Sequence, residues 1–324
     1  MGTYLVTGAA GFVGSHVVEC LAARGDRVVA VDCFDDYYDP AWKRRTAQAL
    51  SDAHRYVWRE LDVCDPRAMD AVVSETRPDV IVHLAALPGV RASVGQSVRY
   101  LRVNAGGTAN VLEVAAAHGV RHVVVASTSS VYGRGEATPF VESMPCDRPL
   151  APYPASKRAA ELVAHAMHHV HGLAVSVLRF FTVYGPRNRP DMMAYQLLQS
   201  VSDGHAVRLF DGGNVWRDWT YVDDVARAVA DVAERPGGFR IVNVARGEPM
   251  RLADFVATLE RISSGRVRVE FAPLPPTDAP RTWADVSELR KLLGWTPSTL
   301  PEVGVERLWC WYEAFRASPP LGMS

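Results

Sequence analysis

The sequence predicts an α/β protein built on a parallel sheet, and three observations support this fold class. Continuous apolar runs at residues 80–84 and 122–126 suit strands that are covered by helices on both faces. Apolar strands at 4–6 and 27–31 flank a segment with helical periodicity. After Gly185 the pattern loosens into shorter elements and proline-rich loops. We therefore expect a Rossmann-type, doubly wound parallel sheet with a smaller C-terminal substrate-binding domain.

The length of 324 residues is enough for about two domains. We predict that residues 1–178 form the sheet domain and that residues 179–324 form most of the second domain. The apolar run at 239–244 predicts that the chain returns to the main sheet within residues 220–245.

Composition excludes several classes of function. Hydrophobic residues make up 48% of the chain, charged residues 22%, and the net charge is −1, so no basic excess indicates nucleic-acid binding. No apolar stretch approaches the roughly 20 residues that a membrane helix needs, and the N-terminus leads directly into a strand, without the pattern of a signal peptide. The five cysteines are scattered, without metal-ligand spacing. We expect a cytoplasmic protein with reduced thiols and no metal.

A glycine-rich loop follows the first predicted strand. Gly8 allows a tight turn, Gly11 lets the backbone approach a ligand, and Gly14 lets the following helix pack close to the strand. A helix N-terminus offers free N–H groups and a partial positive charge to an anion. A structural turn without a ligand is the alternative, but the strand–loop–helix context favours a dinucleotide site.

The second strand ends in Asp32, about 20 residues downstream, as a dinucleotide fingerprint requires. A carboxylate there accepts hydrogen bonds from the adenosine ribose and repels a 2′-phosphate, which predicts NAD as the cofactor. Arg44 and Arg45 lie nearby and leave NADP as the alternative.

Tyr153 and Lys157 are four residues apart in a predicted helix, so both side chains lie on one face. We expect the ammonium, together with the positive charge of a nicotinamide, to lower the pKa of the phenol and make it a usable base. In isolation, such a pair would more often be a helix-surface contact. A hydroxyl tract follows the strand at 122–126, where doubly wound sheets bind ligands; it comprises Ser127, Thr128, Ser129 and Ser130.

Taken in order, these motifs resemble the extended short-chain dehydrogenases/reductases of the sugar-nucleotide epimerase group, over essentially the whole chain. The matching segments are the glycine loop, His83-Leu84-Ala85-Ala86, Asn104, the hydroxyl tract before Val131-Tyr132-Gly133, and the Tyr153/Lys157 pair. Within the group, further segments resemble UDP-glucuronate 4-epimerases. They are residues 35–40 with Lys43, 88–91, 178–186, 189–192, 217–224 and 311–312.

The resemblance implies roles at matching positions. NAD would be held by Gly8, Gly11, Phe12, Val13, Gly14, Asp32, Lys43, Asp62, Val63, Leu84, Ala85, Ala86, Asn104, Ser127, Tyr153 and Lys157. Catalysis would use Tyr153, Lys157 and Thr128. The UDP-sugar would contact Thr128, Ser129, Ser130, Thr182, Arg189, Arg217 and Asp278. Of these, Arg189 would reach the C6 carboxylate of the sugar, and Arg217 and Asp278 would lie along the UDP. The chain departs from the family at Asn188 and at residues 275–277, where the family usually has glycine.

The implied activity is reversible C4 epimerisation of UDP-glucuronate to UDP-galacturonate, through a 4-keto intermediate with transient NADH. The nearest alternative is a UDP-glucose/UDP-galactose 4-epimerase, and Thr182 with Arg189 favours the acidic sugar. A UDP-glucuronate decarboxylase would typically carry an acidic residue in the hydroxyl tract, where this chain has Ser129 and Ser130. A non-catalytic NAD-bound sensor would not require the Tyr153/Lys157 pair. Helices at 108–118 and 156–170 resemble the pair that forms a dimer interface in this group, so we expect a homodimer.

Overall fold

A computed structural model describes residues 1–53, 56–135 and 137–317 of the chain. Seven parallel strands form the main sheet in the spatial order β11-β6-β5-β4-β1-β2-β3. These strands are β1 Thr3–Thr7, β2 Arg27–Asp32, β3 Val57–Glu60, β4 Val80–His83, β5 His122–Thr128, β6 Val175–Phe180 and β11 Phe239–Val244. The smaller strands are β7 Thr182–Tyr184, β8 Val207–Phe210, β9 Trp216–Arg217, β10 Trp219–Tyr221, β12 Met250–Arg251, β13 Val269–Ala272 and β14 Arg281–Thr282.

The helices connect the strands and cover both faces of the sheet. They are α1 Phe12–Ala23, α2 Pro40–Ala53, α3 Pro66–Thr76, α4 Ser97–Tyr100, α5 Gly107–Ala117, α6 Pro152–His171, α7 Met193–Asp203, α8 Val222–Ala233, α9 Leu252–Ser263, α10 Ser287–Leu293 and α11 Pro301–Ala317. A π-helical stretch, Leu101–Gly106, joins α4 to α5, so this helical segment begins well before the predicted residue 108.

Alternating side chains of the sheet enter two separate apolar cores. Val6 belongs to the core that contains residues of α1 and α8, whereas its neighbour Leu5 belongs to the core that contains residues of α3 and α5. Strands that are buried on both faces carry apolar residues at nearly every position, which is why β4 and β5 appear in the sequence as continuous runs. The predicted doubly wound sheet is therefore confirmed.

The strand order reverses direction between β1 and β4, and this switch point places the site. Helical crossovers on opposite sides of the sheet leave a crevice beyond the carboxyl ends of these two strands. His83 bridges them, with Nδ1 2.8 Å from Thr7 Oγ1 and Nε2 3.1 Å from Thr108 Oγ1 on α5. Burial lowers the pKa of His83 to about 3, so the imidazole is neutral there.

The C-terminal half packs around a third core of aromatic rings. Trp219 stacks on Phe255 with ring centroids 4.0 Å apart, and Tyr184 packs edge-on against Phe255. Residues of α7, α9 and α11 complete this core. The predicted domain boundary at residue 178 falls inside β6, while α8 and β11 return to the main sheet between residues 222 and 244. Residues 318–324 of the predicted second domain lie outside the described residues.

A buried ion pair joins β6 to α6. Arg179 donates from Nε and Nη2 to Glu161, over 2.9 and 2.7 Å, and each side chain is only 1% exposed. Glu161 also accepts from Ser127 Oγ on β5 at 2.5 Å and from Arg158 at 2.8 Å. One carboxylate thus connects two neighbouring strands to the helix that carries Tyr153 and Lys157.

Arg179→Met should lower the free energy of unfolding by about 3–5 kcal/mol, because it leaves the buried Glu161 carboxylate without its main counter-charge. The double variant Arg179→Met/Glu161→Leu should lose much less, since it removes the unpaired charge as well. Urea unfolding of the two variants measures this difference. A double variant less stable than Arg179→Met would contradict the ion-pair explanation.

Candidate active site

The glycine loop connects β1 to α1 at the switch point. Gly8 has a φ of +69°, and a Cβ there would lie 2.8 Å from the backbone nitrogen of Ala85. A Cβ on Gly14 would lie 2.0 Å from the carbonyl oxygen of Gly8. Gly11 is the N-cap of α1 and has no side chain to cap the first N–H groups. The loop therefore fits a pyrophosphate, which needs close backbone approach at a helix N-terminus.

Asp32 ends β2 beside this loop and is 7% exposed. Its carboxylate is fixed by two backbone donors, Ala10 N at 3.0 Å and Phe34 N at 2.8 Å. Burial raises its pKa, and the nearby Lys43 ammonium opposes that shift. Lys43 itself donates to the backbone oxygen of Asp35 at 3.0 Å. A carboxylate oriented in this way fits the ribose hydroxyls of a dinucleotide such as NAD.

A first cleft with about 1130 Å³ of empty space brings most of the predicted cofactor-binding residues together. Its lining includes Gly8, Gly11, Phe12, Val13, Gly14, Asp32, Lys43, Val63, Leu84, Ala85, Ala86, Ser127, Tyr153 and Lys157. Arg189, predicted to contact the substrate, lines this same cleft.

Two predicted cofactor residues lie outside that lining. Asp62 is exposed, and its carboxylate caps a turn by accepting from Cys64 N at 2.9 Å. Asn104 is fully buried; its amide bonds both backbone groups of Leu87 and donates to Ser156 Oγ at 2.9 Å. The role predicted for Asn104 in cofactor binding stays a prediction; its amide connects the loop of Leu87 to α6.

Tyr153 and Lys157 lie in the first two turns of α6 and face the first cleft. Pro152 begins the helix, and Ser93 Oγ accepts a hydrogen bond from Tyr153 N at 3.0 Å. Burial lowers the pKa of Lys157 to about 8, although Glu161 opposes the shift. Burial also raises the pKa of Tyr153, against the lowering effects of Thr128 and Arg189. The expected fall in the pKa of Tyr153 includes the charge of a bound nicotinamide and stays a prediction; among the groups of the protein itself, desolvation outweighs the local charges.

The hydroxyl tract begins inside β5, since the strand runs two residues beyond the predicted end at 126. Ser127 and Thr128 are its last two residues, and Ser129 begins a 3-10 helix. Thr128 Oγ1 accepts from Ser130 N at 3.2 Å. The hydrogen bond between Thr128 and Tyr153 lowers the pKa of the phenol. Thr128 therefore lies next to the Tyr153/Lys157 pair.

A second cleft, with about 1340 Å³ of empty space, collects most of the predicted substrate residues. Its lining includes Ser129, Ser130, Thr182, Arg217 and Asp278, together with Tyr37, Arg91 and Asp191. Tyr37 also lines the first cleft. No substrate role was predicted for Tyr37, Arg91 or Asp191, although the segments that contain them were recognised in the sequence.

Two arginines, Arg91 and Arg217, line the second cleft together with the carboxylates of Asp191 and Asp278. Arg91 pairs with Asp278 at 2.7 Å, and its guanidinium lies 4.4 Å from the ring centre of Phe210. Burial lowers the pKa of Arg217 to about 10; Asp278 opposes that shift and Arg91 adds to it. Cations beside an aromatic ring suit a ligand that carries both phosphates and a flat base.

Arg189 is already paired. Its Nε and Nη2 donate to Asp191 over 2.9 and 3.1 Å, and Tyr37 donates its hydroxyl to Asp191 at 3.0 Å. Burial opposes its charge, but Asp191 raises the pKa of Arg189 above the ordinary value. The sequence-based expectation of an arginine reserved for a sugar carboxylate did not include this partner.

No group of three or more metal-ligating side chains occurs among residues 1–53, 56–135 and 137–317. His168 in α6 contacts the backbone oxygen of Leu173 at 2.8 Å, and His165 packs edge-on against Phe239. In the part of the chain that the structure covers, no helix is both long and apolar enough to span a membrane.

Comparison with known proteins gives a consistent result. The NAD dependent epimerase/dehydratase family matches residues 4–245. A UDP-glucuronate 4-epimerase of Thermodesulfobacterium geofontis is 37% identical over 312 residues, covering 96% of each chain. A UDP-glucuronic acid 4-epimerase from Bacillus cereus, solved with UDP-glucuronic acid and NAD, is 30% identical with a TM-score of 0.90, covering 97% of this chain and 99% of that one.

A third similar protein is MoeE5, which has been solved with UDP-glucuronic acid and NAD. It is 34% identical with a TM-score of 0.87, covering 97% of this chain and 100% of its own. MoeE5 has also been solved with UDP-glucose and NAD. The similarity therefore extends over 96–97% of the chain.

Lys157→Met should raise the free energy of unfolding at pH 7, because it replaces a buried ammonium by an apolar chain of similar length. The folded-state pKa of Lys157, about 8, is below the ordinary 10.5, so the folded protein releases this proton first. Wild-type stability relative to the variant should therefore rise by up to about 3 kcal/mol between these pH values.

Chemical denaturation from pH 7 to 10.5 measures this change, and Lys291→Met is the matched control because Lys291 is 78% exposed. A stability difference between wild type and Lys157→Met that stays constant with pH would show that Lys157 is not desolvated in the folded protein.

Proposed function

We propose, since the chain belongs to the NAD dependent epimerase/dehydratase family, that it catalyses the reversible C4 epimerisation of UDP-glucuronate to UDP-galacturonate. The observation that carries this proposal is the position of Tyr153 and Lys157 in the same cleft as the glycine loop and Asp32. A second cleft with two arginines adjoins it through Tyr37. A base, a dinucleotide site and a nucleotide-sugar site thus lie together.

NAD fits the first cleft, and when bound it supplies a reversible acceptor for the hydride of the sugar C4. Gly8, Gly11 and Gly14 would hold the pyrophosphate by backbone contacts. Asp32 would accept hydrogen bonds from the adenosine ribose and exclude a 2′-phosphate. Residues 1–178 provide nearly all of this lining, which supports our division of the chain into an NAD-binding part and a part, 179–324, that mainly binds the UDP-sugar.

Tyr153 would act as the base that removes the proton from the 4-hydroxyl and later returns it. Lys157, one helical turn further along, would stabilise the phenolate when its ammonium is charged. Thr128 would hold the phenol oxygen and share a hydrogen bond with the 4-oxygen of the sugar. Removal of the hydride from C4 and of the proton from the 4-hydroxyl gives a 4-keto sugar, which must turn over to be reduced on its other face.

Arg217, Asp278 and Arg91 would bind the UDP portion in the second cleft. Arg189 would face the C6 carboxylate, together with the hydroxyls of Thr128, Ser129, Ser130 and Thr182. A 4-keto uronic acid is a β-keto acid and loses CO₂ when its C5–C6 bond aligns with the ketone π system. Charge-assisted hydrogen bonds to the carboxylate would restrict that alignment, because they are short and directional.

A homodimer is the proposed assembly. Apolar side chains are exposed on neighbouring helical segments, with Val98 at 82%, Leu101 at 46% and Leu162 at 57%. An apolar surface on packed helices is typical of a protein–protein interface. We also propose a cytoplasmic location, which the five free cysteines support because a reducing compartment keeps thiols unpaired.

The proposal is tested by incubating the purified protein with UDP-glucuronate and no added cofactor. UDP-galacturonate should form, because NAD is regenerated in each cycle and stays bound. Tyr153→Phe should lower the rate by about 10²–10⁴ while UDP-sugar binding persists. Nucleotide-sugar chromatography measures product formation by the wild type and the turnover rate of Tyr153→Phe, and calorimetric titration measures binding of the UDP-sugar. Near wild-type turnover by Tyr153→Phe would reject the assigned base.

Arg189→Leu should weaken UDP-glucuronate binding by roughly 10- to 100-fold, since a charge-assisted contact contributes about 1.5–3 kcal/mol. UDP-glucose carries a neutral hydroxymethyl group at C6 and should be affected little. The variant should also release CO₂ and form some UDP-4-keto-pentose. Calorimetric titration with each sugar, followed by product analysis, makes the comparison. Equal losses for both sugars would mean that Arg189 holds the diphosphate or the fold.

A further inference from the structure

The pairing of Arg189 with Asp191 places a protein carboxylate on the group proposed to recognise the sugar acid. Asp191 takes the side-on face of the guanidinium, Nε and Nη2, at 2.9 and 3.1 Å. A guanidinium presents its donors in a planar fork, so this contact leaves the Nη1 edge for a second acceptor. The side chain of Arg189 is 21% exposed and that of Asp191 is 33% exposed. The pair is therefore partly exposed, with Arg189 lining the first cleft and Asp191 lining the second.

The pair is held from a third segment of the chain. Tyr37 donates to Asp191 at 3.0 Å, and it belongs to the loop that follows Asp32. A Cβ on Gly89 would lie 2.1 Å from the Tyr37 hydroxyl. The hydroxyl is therefore packed closely against the loop that contains Gly89. Three hydrogen bonds therefore fix the Asp191 carboxylate between the first and second clefts.

Asp191 must oppose the binding of an acidic sugar in either available geometry. If Arg189 keeps its partner, the sugar carboxylate and Asp191 share one cation and repel each other. If Arg189 turns toward the sugar, a charge-assisted pair is broken first. In both cases a neutral C6 group escapes the penalty, because it carries no charge.

We propose that Asp191 is a specificity-determining residue that limits how strongly Arg189 selects acidic over neutral UDP-sugars. This inference rests on the proposed function, in which Arg189 faces C6 of the sugar. It assigns to the Tyr37–Asp191–Arg189 network the task of setting the ratio between the two affinities. Asp191 acts through Arg189 and has no part in proton transfer.

Asp191→Asn tests the proposal, because it removes the charge and keeps the shape. Binding is measured by calorimetry in the NAD-bound Tyr153→Phe background, where the sugar is not turned over. UDP-glucuronate should bind roughly tenfold more tightly, equivalent to about 1.4 kcal/mol, while UDP-glucose changes by less than about twofold. Asp191→Ser removes the charge and the reach to Arg189, and it should shift the ratio in the same direction.

Asp254→Asn is the matched control. Arg251 donates to Asp254 with the same Nε and Nη2 geometry, both at 2.8 Å, and neither residue lines the two clefts. This variant should leave the ratio of affinities unchanged, although it alters the net charge equally.

The proposal is overturned if Asp191→Asn leaves the ratio unchanged, lowers it, or tightens both sugars equally. A lower ratio would mean that Asp191 mainly positions Arg189 for the acid. Failure of the proposed function is a separate result: protein with intact Tyr153 would then form no UDP-galacturonate, whatever Asp191→Asn does to the binding of the two sugars.

Discussion

The site depends on the hydrogen bonds and ion pairs that the buried carboxylate of Glu161 makes. It receives Ser127 from β5, Arg179 from β6 and Arg158 from its own helix, so it fixes α6 against the two strands. Lys157 lies about one turn before it on the same helix, and Tyr153 lies about two turns before it. Their positions over the first cleft therefore follow from a contact made away from the reacting groups. Glu161 also opposes the lowering of the Lys157 pKa by burial.

Burial acts on the proposed acid–base pair in two unfavourable directions. It lowers the pKa of Lys157 and raises that of Tyr153, so desolvation favours the uncharged form of both groups. Thr128 and Arg189 partly compensate at the phenol. A further positive charge bound in the first cleft would lower the phenol pKa more, which ties the strength of the base to occupancy of the cofactor site. The protein's own residues therefore counter only part of the effect of burial on the pKa of the Tyr153 phenol.

Features that depend on local spacing could be predicted from the sequence, whereas contacts between distant segments could not. The glycine loop and Asp32 are defined by local spacing, and the buried strands by continuous apolar runs, so these features were predicted with nearly correct bounds. The hydrogen bonds of the Asn104 amide to Leu87 and Ser156 could not be predicted, because sequence order does not show which groups meet in the fold. Glu161 and Asp191 were missed for the same reason. Their partners come from other strands and loops, or depend on a turn whose geometry no pattern defines.

In the proposed function, α6 and the glycine loop provide the chemistry, whereas loops beyond the strand ends select the substrate. Arg189 lines the cleft that contains Tyr153, and its partner Asp191 lines the cleft that contains Arg217. A neutral and an acidic nucleotide sugar differ at C6 alone, so discrimination between them requires one charge at that position and control of its strength. In the proposed function, a cation with a resident carboxylate meets this requirement, and the same cation also lowers the pKa of the Tyr153 phenol. The residues that would select the sugar therefore come from more than one loop, since Tyr37 holds Asp191 from the loop that follows Asp32.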